Sequence, residues 1–252
     1  MSVNRRFTRR GALALGLGSL GGFLVSRNSL ELPPTYGNIL RMGDNFTYAA
    51  HRTLLPGQSL AREYARGDIS SFPAIGTTNP AGRGIPDLSD AYARLQHGAF
   101  AGWRLSVEGL VSSPRSFTLD DLQRLPSRTQ ITRHTCEEGW SAIAEWTGVP
   151  LRLVLEASGM LPAARFVSFS SYDDWADSID MLDALHPQTL LVYGMNGRSL
   201  PVPHGAPVRL RVETQLGYKS MKFLRRIVVR DTFDDGGEKG NIQNGWAWYA
   251  GI

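Results

Sequence analysis

Along the chain, apolar positions repeat with two different periods, and the changes between them mark out short elements. Residues 103–111 (WRLSVEGLV) alternate apolar and polar, the pattern of a strand with one buried face. Residues 116–126 (SFTLDDLQRLP) predict a short helix capped by Thr118 ahead of Asp120 and Asp121. Residues 128–136 (RTQITRHTC) form a β-rich run ending at Cys136. Residues 149–160 (VPLRLVLEASGM) fit a helix with Pro150 near its first turn and a glycine stop. Residues 164–172 alternate again, 178–185 fit a short helical turn, and 188–201 contain a hairpin turning at Asn196-Gly197. Residues 207–213 and 224–231 read as strands. Residues 41–84 follow neither period, which predicts an extended arm wrapped over the core. Short strands broken by short helices, with no βαβ rhythm and no internal repeat, predict an α+β fold with a mixed, barrel-like sheet core.

The first residues follow another logic. Arg5, Arg6, Arg9 and Arg10 precede a weakly apolar Gly/Ala/Leu stretch over residues 11–25, which is about 15 residues and short of the roughly 20 a spanning helix needs. Arg9-Arg10 directly before that stretch resembles a twin-arginine signal, the export route for proteins already folded. The expected organisation is a signal segment over 1–30, a Pro/Gly linker over 31–40 and one domain over 41–252. The expected location is the periplasm, with a membrane tether if the signal stays uncleaved. The four signal arginines supply as much positive charge as the whole net excess of +4, so the remaining chain is near neutral and nucleic acid is not an expected partner. A composition of 42% hydrophobic and 20% charged residues is that of a globular protein with a sizeable core.

The chain contains one cysteine among 252 residues, so Cys136 has no intramolecular disulfide partner. A lone thiol in an exported protein is either a buried small hydrophobe or a cofactor ligand. Its neighbours Arg133 and His134 predict easier deprotonation, and a thiolate is a soft ligand suited to a transition metal.

The order of segments around that cysteine is distinctive. The chain has NFTYAAHR early, then Cys-x-x-Gly-Trp, WTGVPL, HPQTLLVYGMNGRSLPVPHGAPVRLRV and LGYKSMKFLRRI. Together these resemble the molybdopterin-binding domain of the sulfite oxidase superfamily over about residues 40 to 235, nearest the exported bacterial branch that includes periplasmic protein-methionine-sulfoxide reductases. The resemblance implies a molybdenum held by the Cys136 thiolate and by the dithiolene of one molybdopterin. It further implies cofactor contacts at Asn45, Tyr48, His51 and Arg52 in the arm, at Ser171, and at His204, where the family often has Asn. Later in the chain it implies contacts at Arg209 and along Ser220, Met221 and Lys222. Arg209 also has the fork to grip a phosphate. Trp140 and Trp146 are expected in the core, and Trp246, Trp248 and Tyr249 either at a cavity mouth or sealing the fold.

Sulfite oxidases usually follow this cysteine with a segment that builds a cationic pocket, whereas this chain has Glu137 and Glu138. A carboxylate aimed at the metal would repel sulfite. The expected activity is therefore oxygen-atom transfer with a sulfoxide-type substrate, ahead of sulfite dehydrogenation, with a non-catalytic exported binding domain as the reading from another class. Neither a haem domain nor an immunoglobulin-like dimerisation domain is expected, so the protein is expected to be a monomer that exchanges electrons with a separate redox protein. By analogy within the family that partner is a membrane haem protein.

Overall fold

The computed structural model describes residues 39–54 and 59–252, and the chain divides into two units, 1–56 and 57–252. The export segment lies outside the described residues. In the first unit, helix α1 spans Ile39–Leu54. This corrects the expectation of an irregular arm there. Gly43, Thr47 and Thr53 are weak helix formers that mask the period, and both threonine hydroxyls bond the carbonyl four residues back, Thr47 to Gly43 at 3.0 Å and Thr53 to Ala49 at 2.7 Å.

The second unit begins with the irregular chain the sequence predicts. Over residues 59–84 it forms only 3-10 turns at Arg66–Asp68 and Pro80–Gly82 and a single bridge from Glu63 to Thr132. Helix α2 (Leu88–His97) follows, then strands β1 (Leu105–Gly109) and β2 (Arg115–Phe117). Helix α3 (Leu119–Arg124) starts at the predicted cap, where the Thr118 hydroxyl accepts from Asp121 N at 2.9 Å and the Asp121 carboxylate accepts from Thr118 N at 2.9 Å. Next come β3 (Arg128–Thr135), β4 (Ser141–Pro150) and α4 (Leu151–Ala157). The chain continues through β5 (Phe166–Ser171), β6 (Ala176–Asp180), α5 (Met181–Ala184) and the hairpin of β7 (Leu190–Met195) with β8 (Arg198–Ser199). Strands β9 (Arg209–Arg211) and β10 (Leu224–Arg230) end the series.

These strands make two open five-stranded sheets rather than a closed barrel. The first has the order β2-β1-β10-β5-β6, and the second β3-β4-β7-β8 with β9 also paired to β7. All pairs are antiparallel except β1 with β10, which run parallel from Ser106↔Arg226 to Gly109↔Val229. The core is built of Trp103, Leu105, Val107, Leu122, Leu151, Leu155, Phe169, Leu210 and Ile227, with a satellite cluster of Trp146, Leu190, Val192 and Leu200 on the second sheet. The mixed α+β architecture is the one the sequence predicts. Strand β4 and helix α2 were not legible in it.

Candidate functional site

Strand β3 turns an unusual face inward. Its buried positions are Gln130, Thr132 and His134, and Cys136 continues the same alternation just past the strand end. A polar inward face costs free energy unless it finds partners; here Gln130 and His134 find them on the segment around β9, while the Thr132 hydroxyl is buried with no partner. Gln130 Nε2 donates to Glu213 Oε1 at 3.0 Å, and Arg211 pairs bidentately with Glu213 through Nε and Nη2 at 3.0 and 2.7 Å. Arg211 Nη1 donates to His134 Nδ1 at 2.6 Å.

His134 and Cys136 open onto a cavity of about 370 Å³. One wall is the irregular segment of residues 72–77, a second is the loop around His204, and a third runs from Gly217 to Lys222. Asp173 and Trp175 close one end, with Asn241 and Trp246 also on the wall. Phe72 anchors the first wall, with its ring centroid 5.1 Å from His134, 5.9 Å from Trp140, 5.3 Å from Trp146 and 5.6 Å from His204. At the other end of that wall the Lys222 ammonium donates to the carbonyls of Ile75, at 2.8 Å, Thr77 and Pro203, at 3.2 Å. Arg83 Nη1 donates to Thr77 Oγ1 at 2.7 Å.

Of the residues the sequence singled out, Cys136, His204, Arg209, Ser220, Met221 and Lys222 all line this one cavity. Ser171 does not. It is buried, with Oγ 2.5 Å from Asp173 Oδ1 and 3.0 Å from the Trp175 carbonyl, so it shapes the turn that delivers those two residues. Asn45, Tyr48, His51 and Arg52 lie on α1 in the first unit, where positions 45, 48 and 52 share a face and the Arg52 guanidinium sits 5.3 Å from the Tyr48 ring centre. Trp146 and Trp248 are buried in the core, while Trp140 and Trp246 are on the cavity wall, Trp246 with its ring centroid 5.4 Å from that of Tyr218.

The fork of Arg209 is already engaged. Nη1 donates to the His204 carbonyl at 3.0 Å and Nη2 to the Ser220 carbonyl at 2.8 Å, which ties two cavity walls together. Its Nε is buried with no partner. Burial, and then the charge of Arg211, lower its pKa to about 9.

The electrostatics of Cys136 differ from the sequence expectation. Arg133 points to the opposite face of β3, its guanidinium 5.2 Å from the Tyr64 ring centre, and His134 is held neutral by burial and by the nearby Arg211, Arg209 and Lys222 charges. Burial pushes the thiol up to about 11, and Glu137, whose Oε2 lies 3.4 Å from Sγ, adds to the rise. The site by itself thus favours the thiol, and a bound metal cation would reverse that balance. Burial and the charges of Arg209 and Lys222 likewise push His204 down to about 4. Burial, then Arg209, brings Lys222 to about 8.

Glu137 lines the cavity, whereas Glu138 accepts from Trp140 Nε1 at 3.1 Å outside it. The two carboxylates therefore have separate surroundings. Sequence reasoning missed His134, Phe72 and Asp173 as wall residues. For His134 the signal was present, in the polar inward alternation that ends at Cys136.

The family model for the oxidoreductase molybdopterin binding domain matches residues 93–237, more than half of the chain. The chain belongs to the molybdopterin-binding oxidoreductases. Among curated proteins, it is 43% identical over 151 residues to the Azospira oryzae protein provisionally named protein-methionine-sulfoxide reductase subunit YedZ1, covering 60% of this chain and 56% of that one. It is 36% identical over 141 residues to the protein-methionine-sulfoxide reductase catalytic subunit MsrP of Ralstonia nicotianae, covering 50% of this chain and 43% of that one. The chain therefore spans about half the length of these relatives. The crystal structure of the sulfane dehydrogenase SoxCD from Paracoccus pantotrophus superposes with a TM-score of 0.50 at 27% identity, over 52% of this chain and 39% of that one.

The residues present fit a molybdopterin-held metal. The single Cys136 sulfur on the cavity wall suits a metal whose other donors come from an organic cofactor, and among the described residues no group of three or more His, Cys, Asp or Glu side chains is placed to hold a metal ion. The unpartnered Arg209 Nε is a buried donor in the residue that lines the same cavity.

Proposed function

We propose that this chain is an exported molybdenum-molybdopterin oxidoreductase that removes the oxygen of sulfoxide-type substrates. Two electrons from a separate redox protein and two protons convert the sulfoxide to a thioether and water. The observation that carries this reading is the placement of the only cysteine on the wall of the cavity shared with Arg209 and the Ser220 to Lys222 segment. When bound, the cofactor supplies the redox couple and the site of oxygen transfer. The chain supplies the rest. Cys136 would hold the metal through sulfur, and Arg209 would offer Nε to the cofactor while bracing the loops at His204 and Ser220. Phe72, Trp140 and Trp246 narrow the cavity and limit water.

The names of the relatives support a sulfoxide as substrate, and Glu137 supports a neutral one. A carboxylate 3.4 Å from the Cys136 sulfur repels a dianion such as sulfite. By the same analogy, the electron donor is a membrane haem protein, and Asn45, Tyr48, His51 and Arg52 contact the pterin. No helix among the described residues is long and apolar enough to cross a membrane. Export rests on the twin-arginine pattern at Arg9-Arg10.

The test is metal and pterin analysis of protein exported by a molybdenum-replete host, with reductase assays on sulfoxides and N-oxides using a reduced dye and an oxidase assay on sulfite. Close to one molybdenum per chain and turnover of a sulfoxide are expected. Cys136→Ser should abolish turnover per folded molecule while retaining part of the pterin, because a hydroxyl is a harder and less acidic donor. Metal-free protein, or a fully active serine variant, sinks the reading.

A further inference from the structure

We propose that His134 is the hydrogen-bond donor that recognises the substrate oxygen in this cavity, and that Arg211 is the positioning residue that fixes its ring. This rests on the sulfoxide reading above. The ring sits against Arg211, and a guanidinium has five donors and no acceptor. With Nη1 2.6 Å from His134 Nδ1, that nitrogen must present its lone pair, and the ring hydrogen is assigned to Nε2. Arg211 has little freedom to do otherwise. Glu213 holds its other two nitrogens, Gln130 holds Glu213, and the Trp146 ring lies 4.6 Å from the guanidinium carbon.

Nε2 lies beside Gly217, where only a glycine leaves room. A Cβ on Gly217 would lie 2.2 Å from His134 Nε2, and Gly217 and His134 both line the cavity. Among the described residues nothing accepts from this nitrogen. Phe72 and Trp140 pack on the ring with centroids 5.1 and 5.5 Å away, so it cannot swing to a new partner without displacing them. Cys136 follows two residues later on the same inward face. A donor beside that sulfur binds an S=O oxygen, a strong acceptor, and gives a thioether, a weak one, little to hold. The wired imidazole therefore favours substrate over product.

The test uses the full chain, cofactor-loaded and oxidised, labelled with 15N-histidine; the sequence contains 5 histidines, and His134→Gln assigns the signal that disappears. Long-range 1H–15N correlations should show the His134 proton on Nε2, and dimethyl sulfoxide should move that proton downfield while dimethyl sulfide does not. A proton on Nδ1, or equal responses to the two compounds, overturns the proposal. In turnover, His134→Phe should lower kcat/KM for dimethyl sulfoxide by about 10-fold or more, with His134→Gln, which keeps an N–H donor, recovering part of the loss. Wild-type kcat/KM in folded His134→Phe overturns the donor role and leaves the reductase reading standing, whereas wild-type protein that turns over no sulfoxide sinks both.

Discussion

Lys219 is fully buried in the short turn between two cavity-wall residues, Tyr218 and Ser220, and its replacement by Met should be costly in a defined way. Its ammonium donates to Asp177 Oδ1 at 2.7 Å and to the Ser178 carbonyl at 2.8 Å, and lies 5.7 Å from the Trp248 ring centre. Burial pushes Lys219 below and Asp177 above its ordinary pKa, in each case outweighing the attraction of the partner. Such a pair adds little net stability, yet removing one member strands a charge at a cost of about 3–5 kcal/mol. For a chain of this size that is roughly a 6–20 °C fall in Tm. After Lys219→Met, Asp177 keeps only Ser178 N and the Asn241 amide. Its carboxyl pKa, already raised, then rises further. A raised acid stabilises the fold below its unfolded pKa and loses that contribution as pH rises through the folded value. The deficit of Lys219→Met relative to wild type should therefore shrink as pH falls. Adding Asp177→Asn should restore most of the loss, since the stranded charge is gone. The assay is urea unfolding followed by circular dichroism on wild type, both single variants and the double variant, prepared alike, at neutral and mildly acid pH. A single-variant loss under about 1 kcal/mol, or a double variant whose loss equals the sum of the singles, refutes the reasoning.

Glu137→Gln should raise kcat/KM for sulfite relative to a neutral sulfoxide by on the order of 10-fold, the effect of about 1.4 kcal/mol of lost repulsion, and an unchanged ratio would show that the carboxylate does not select charge. Gly217→Ala should destabilise by about 1–3 kcal/mol, because its methyl would press on a ring pinned from the other side by Arg211, and thermal melts read this directly. Thr118→Ala should cost about 1 kcal/mol by removing the cap of α3. The Asp121 carboxyl is held below its usual range by Thr118, so its share of the cap is present above the unfolded carboxylate pKa and fades as pH falls through the lowered value. Stability measured from pH 7 to pH 3 should show the wild-type and Thr118→Ala curves converging.

Much of this was legible because it depends on local chemistry. The Thr118 cap, the Asn196-Gly197 turn, the alternation of β1 and the presence of β3 and β5 are encoded within a few residues each, and the structure has all of them. Strand β4 escaped because it is central, buried on both faces over Glu145, Trp146, Val149 and their neighbours, so no period-two signal survives. Helix α1 escaped because its threonines and glycine are neutral to poor helix formers. The site was legible as a set of names around Cys136, and the structure brings six of them to one cavity. The state of the thiol was not legible. Which neighbour faces it is decided by strand alternation, which sends Arg133 away, and the decisive burial comes from segments distant in the chain.

The parallel pairing of β1 with β10 bears on the order in which the molecule assembles. Ser106 meets Arg226 across that seam, so β1, which can pair early only with β2, lacks its second neighbour until nearly all the intervening chain has been made. Enclosed within that span lie β3, Cys136 and the cavity walls from His204 to Lys222. Closing so long a loop carries an entropy cost that local contacts do not offset in advance, and folds dominated by such pairings form slowly. In a chain that ends synthesis with this sheet open, the exposed edge of β10 waits for β1 while Val107, Ile227 and Val229 remain in water. Refolding is accordingly expected to be limited by this seam, with the second sheet and its β3–β4 hairpin able to form first.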